Sequence, residues 1–139
     1  MLRLGRGLVA NVWLGFRQMS QGPNLFQVLT FAEAQKEIQG ENTVFLDVRE
    51  KGELTTDGRI AKGKNIPLGE VPKALVMDDE TFLEQYGFDK PANDQDIVVY
   101  CKAGIRAELA AKVMSQLGYT KLKIYPGIND WKENGGELK

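Results

Sequence analysis

Ile97-Val98-Val99-Tyr100-Cys101-Lys102-Ala103-Gly104-Ile105-Arg106 is the stretch on which the reading of the chain turns. Residues 97 to 100 are apolar in an unbroken run, as expected of a strand covered on both faces of a parallel sheet. Past the loop, Ala107 to Leu117 places apolar residues at 110, 113, 114 and 117, the stripe of a core-facing helix, and Gly118 is its stop signal. The loop therefore links a buried strand directly to a helix. In an open parallel α/β sheet, ligands bind beyond the carboxyl ends of the strands, which puts Cys101 where a nucleophile belongs. Gly104 permits a tight curl because it takes positive φ at little steric cost. Backbone N–H groups of the loop and the N-terminus of the following helix can then converge on an anion, and Lys102 and Arg106 add positive charge. All of these favour thiolate over thiol.

Working outward, strand and helix signals alternate from about residue 25. Phe26 to Leu29 is a short apolar run, and Thr30-Phe31-Ala32-Glu33 fits a capping box that opens a helix over 31–39, stopped at Gly40. Thr43 to Val48 reads as a second buried strand, followed by polar turn material up to Gly63. Lys64 to Ile66 reads as a short strand ended by Pro67, and helical stretches follow at 70–76 and 79–86, the second closed by Gly87. Leu122 to Tyr125 reads as the last strand, Pro126-Gly127 as a turn, and 128–134 as a closing helix. Alternation of this kind implies an α/β domain on a mostly parallel sheet.

Composition narrows the chemistry. The 139 residues suit one domain, and 42% hydrophobic with 27% charged residues is ordinary for a globular protein. With 18 basic and 19 acidic residues the net charge is −1, which argues against a nucleic-acid partner. The chain has no histidine and a single cysteine. Cys-His pairs, His-ligated metals, CxxC motifs and intramolecular disulfides are thereby excluded, and neither a metal nor an organic cofactor is expected.

Residues 1–32 hold three arginines and no acidic residue, so this part carries +3 and the rest of the chain −4. Wound as a helix, residues 1–19 gather Arg3, Arg6 and Arg17 within an arc of roughly 60°, with Leu4, Leu8, Val12, Phe16 and Met19 on the other side. Residues 1–24 thus resemble a mitochondrial presequence ahead of a domain at 25–139, with a mitochondrial location as the expectation and a cytoplasmic one otherwise. A flexible leader and a secretory signal are the alternatives, though Arg17 and the missing A-x-A site oppose secretion. Ten uncharged residues from Gly7 to Phe16 fall short of the roughly 20 that span a bilayer, so no membrane anchor is expected.

An ordered set of motifs also runs through the domain: Asp47-Val48-Arg49-Glu50, Gly58-Arg59-Ile60 leading to Asn65-Ile66-Pro67, Cys101-x-x-Gly104-x-Arg106, Leu117-Gly118-Tyr119, and Tyr125-Pro126-Gly127 with Trp131. Together they resemble the single-domain rhodanese family. The resemblance implies a five-stranded parallel sheet flanked by helices on both faces. It also implies a thiosulfate sulfurtransferase in which Cys101 carries sulfur as a persulfide to a thiol or cyanide acceptor. Lys102, Ala103, Gly104, Ile105 and Arg106 would bind the donor, while Asp47 and Arg49 support the fold. Related phosphatases use Cys-x5-Arg, whereas here the spacing is Cys-x4-Arg, which sides with sulfur transfer. Two cations beside the thiol suit a dianion such as thiosulfate. Many relatives have Gly-His-Ile where this chain has Gly58-Arg59-Ile60. The alternative to a small-molecule enzyme is a persulfide carrier or interaction module that takes sulfur from a protein donor. An exposed apolar patch beside the loop would favour the carrier, and a narrow cationic pocket the enzyme. Oligomeric state is not legible.

Overall fold

A computed structural model of the chain describes residues 26–139; the leader expected at 1–24 lies outside them. The elements run β1 Gln27–Val28, α1 Phe31–Ile38, β2 Thr43–Asp47, α2 Lys51–Asp57, β3 Gly63–Asn65, a 3-10 turn Leu68–Glu70, α3 Val71–Leu75, α4 Asp79–Tyr86, β4 Asp96–Cys101, α5 Ile105–Gln116, β5 Leu122–Gly127 and α6 Ile128–Glu133. All strand pairs are parallel, in the order β1-β5-β4-β2-β3. This is the five-stranded sheet that the resemblance implied. α1 starts as expected, with Thr30 Oγ1 accepting the Glu33 N–H and the Glu33 carboxylate accepting the Thr30 N–H.

Strand alternation splits the core into two layers. Leu46, Ile97, Val99, Cys101 and Ile124 face α3 and α5, packing on Ala107, Ala110 and Met114. Phe45, Val98, Tyr100 and Tyr125 face the other way, onto Ala34 of α1 and Ile128 and Trp131 of α6. Burial of both faces is why the central strands carry unbroken apolar runs. Tyr125 and Trp131, core residues by sequence, are buried with their rings 6.1 Å apart.

Two local readings need correction. Residues 51–57, expected as turn, form α2. None of its residues is buried, so it has no apolar stripe from which a helix could be read. Likewise, Pro126-Gly127 is not a turn but the end of β5. There the β4–β5 register slips, with Tyr100 opposite Tyr125 but Cys101 opposite Gly127, leaving Pro126 as the extra residue of a bulge. Gly127 has φ 127°, and a Cβ on it would overlap the Cys101 carbonyl. Only glycine allows β5 to approach the end of β4 so closely.

Candidate active site

Cys101 closes β4, the strand flanked by β2 and β5, and is 1% exposed. The chain then turns through Gly104, at φ 112°, into α5. That curl aims the Gly104 N–H back at Cys101 Sγ, at 3.0 Å. The sulfur lies 3.9 Å from the Pro126 carbonyl oxygen on the bulged strand. A backbone donor pointed at sulfur stabilises negative charge on it.

Each of the two loop cations faces a carboxylate of α2. Arg106 makes a two-pronged ion pair with Glu53 of α2, Nη1 to Oε2 at 2.6 Å and Nη2 to Oε1 at 2.9 Å. Lys102 Nζ lies 3.9 Å from Asp57 Oδ2, one turn further along the same helix. α2 therefore spans the cationic loop with two carboxylates, and Glu53 and Asp57 are site residues that the sequence reading did not single out. Their i, i+4 spacing just after Asp47-Val48-Arg49-Glu50 was the available signal. Of the remaining loop residues, Ala103 is exposed and Ile105 is 75% exposed, with Leu109, a turn later, 48% exposed.

Glu53 Oε2 also accepts the Glu50 N–H at 3.0 Å, tying the start of α2 to the loop. The Arg106 guanidinium, helped by that N–H against partial burial, lowers the Glu53 carboxyl from an ordinary 4.5 to about 2. A carboxylate whose pKa is lower in the folded chain stabilises it fully above about 4.5 and loses that contribution as pH falls through about 2. Glu53→Gln is therefore expected to reduce the melting temperature at neutral pH by the equivalent of about 1 kcal/mol or less, with the difference from wild type shrinking below pH 4. Thermal melts at pH 7 and pH 3 check this, and equal differences at both would contradict it.

Asp47 and Arg49 form a fully buried pair, with Arg49 Nη2 2.8 Å from Asp47 Oδ2 and Nε 3.1 Å from Oδ1. Arg49 Nη2 also donates to the Gly58 carbonyl at 3.0 Å, and Asn65 Nδ2 donates to the Asp47 and Arg49 carbonyls, both at 2.9 Å. This network binds the end of β2 to the far end of α2 and to β3. Arg59 takes no part in this network through its side chain. Its backbone instead pairs with Lys139 at 3.0 and 2.8 Å.

Comparison with known proteins agrees with this architecture. Residues 30–134 match the family model described as a rhodanese-like domain. The chain belongs to the rhodanese family. As a rhodanese it is 35% identical over 133 residues to a protein of Saccharomyces cerevisiae named thiosulfate:glutathione sulfurtransferase, covering 93% of this chain and 94% of that one. It is also 36% identical over 99 residues to a Schizosaccharomyces pombe protein named putative thiosulfate sulfurtransferase, mitochondrial, covering 71% and 68% of the two chains. Among solved structures, the human single-domain sulfurtransferase TSTD1 superposes with a TM-score of 0.74 at 28% identity, over 78% of this rhodanese and 97% of that chain.

Proposed function

We propose that this rhodanese is a sulfurtransferase that moves the outer sulfur of thiosulfate to a thiol or cyanide through a persulfide on Cys101. The observation that carries the reading is the Gly104 N–H held 3.0 Å from Cys101 Sγ inside a Cys-x4-Arg loop. The names of the relatives, sulfurtransferases acting on thiosulfate, support the substrate class. In the first half-reaction the Cys101 thiolate attacks the outer sulfur of thiosulfate. A Cys101–S bond forms, the S–S bond of the donor breaks, and sulfite leaves with the bonding electron pair. In the second, an acceptor thiolate or cyanide attacks the outer sulfur of the persulfide and the Cys101 thiolate is regenerated. A covalent intermediate of this kind divides one transfer into two displacements at a single side chain.

Lys102 and Arg106 attract the sulfonate end of the donor from the loop rim, sharing their charge with Asp57 and Glu53. The loop amides do the same from the backbone, and neither step calls on a metal or organic cofactor. The acid-free, arginine-bearing segment at residues 1–24, together with a relative named mitochondrial, supports a mitochondrial location. A second reading, transfer from a protein persulfide donor, draws on the exposed pair Ile105 and Leu109 beside the loop.

Intact-mass measurement on the reduced protein tests the proposal. Thiosulfate is expected to add about 32 Da, one sulfur, and a thiol or cyanide to remove it. A gain only from a protein persulfide donor would transfer the conclusion to the carrier reading, and no gain from either donor would overturn both.

A further inference from the structure

The described residues also line an open cavity of about 470 Å³ at the outer edge of β3, with no residue of the Cys101 loop in its wall. It is reached by Tyr100, whose side chain leaves β4 on the face opposite to Cys101. Three cations line it: Lys51 of α2, Arg59, and Lys64 of β3. None of the three has a carboxylate partner among the described residues, in contrast to Lys102 and Arg106. Asp47 lines the cavity as well, but its charge is already matched by Arg49.

Two polar atoms of the lining lack partners. The Tyr100 hydroxyl lies under Gly63, where a Cβ would overlap it, and makes no hydrogen bond although the residue is fully buried. Burial, with the nearby Asp47 carboxylate, raises the phenol well above its ordinary value, so it stays a protonated donor. Asn65 Oδ1 is a buried acceptor without a donor, while the Nδ2 of the same amide is fully used on the Asp47 and Arg49 carbonyls. Unmatched buried polar atoms carry a free-energy cost that a ligand removes on binding. Phe88 adds an aromatic wall, with Lys64 Nζ 6.0 Å from its ring centre.

We propose that this cavity is a second ligand site, separate from the catalytic loop, for a small organic oxyanion that also carries hydroxyl or N–H donors. The cations meet the anionic end, Asn65 Oδ1 accepts from the ligand, and the Tyr100 hydroxyl donates to it. Lys51 and Thr55, which line the cavity, belong to the helix that carries Glu53 and Asp57. A bound anion would thus lie against the helix that also holds the loop cations.

Amide NMR titrations of the full chain test this with two probes, glycerol 3-phosphate for phosphate esters and citrate for polycarboxylates. At least one is expected to shift the amides of Lys51, Arg59, Lys64 and Asn65. The double variant Arg59→Gln, Lys64→Gln is expected to weaken that probe about tenfold or more, whereas Lys102→Gln leaves its affinity within about twofold. Because Arg59 and Lys64 are exposed, the double variant should keep the wild-type melting temperature. Propyl phosphate, which has the charge but no hydroxyls on its chain, is expected to bind more weakly than glycerol 3-phosphate when the phosphate probe binds. Shifts confined to residues 101–106, an affinity indifferent to the double variant, or no response to either probe would each overturn the proposal.

Discussion

Cys101→Ser is expected to lower the rate of sulfur transfer by about a thousandfold or more, as removal of the sole covalent nucleophile does in other enzymes. The serine hydroxyl is a far weaker nucleophile than a thiolate, and the chain holds no other cysteine to take over. The loop loses little else: Cys101 is a small side chain, and serine preserves an acceptor for the Gly104 N–H. Melting temperature should therefore fall far less than activity. The decisive measurement is the steady-state rate with thiosulfate and a thiol acceptor, alongside intact mass. Transfer at an undiminished rate, or a sulfur adduct on the variant, would show that Cys101 is not the carrier.

Asp47→Ala is expected to cause the largest loss of stability, about 3–5 kcal/mol, because it leaves the guanidinium of Arg49 buried with no counter-charge. Arg49 is 0% exposed and Asp47 1%, so water cannot replace the lost carboxylate without opening the end of β2. For a domain of this size such a loss lowers the melting temperature by about 10 °C or more. Replacing both partners by apolar residues, Asp47→Leu with Arg49→Met, should recover part of it, since no charge is then stranded. The recovery stays incomplete because Arg49 also holds the Gly58 carbonyl. Chemical denaturation of the three variants checks the order. A single variant as stable as wild type would mean that the pair contributes nothing to the fold.

Both expectations rest on residues readable from the chain alone. Ile97 to Tyr100 announce β4 because both faces of that strand are covered, leaving no position that has to be polar. The Cys101 loop was equally legible, since its chemistry lies within six consecutive residues and the Gly104 N–H returns over only three positions. α1 likewise shows its own start in Thr30 and Glu33, because a capping box is a contact between near neighbours.

What the sequence could not convey depends on residues far apart along the chain. Arg106 and Glu53 are 53 positions apart, and nothing local to either shows that α2 settles across the loop and takes up its cations. α2 itself stayed hidden because it buries none of its residues and so carries no helical periodicity. Pro126-Gly127 imitates a turn; only the pairing of β5 with β4 makes it a bulge, and only the closeness of the Cys101 carbonyl makes Gly127 necessary. The cavity at β3 likewise draws Lys51, Arg59, Lys64 and Tyr100 from three separate stretches. Sequence by itself determined the strand–loop–helix unit and the position of Cys101 in it, since burial patterns and short-range hydrogen bonds are written in neighbouring residues. The charge that surrounds Cys101 was decided by tertiary structure alone, because it depends on which distant carboxylates the folded sheet brings within a few ångströms.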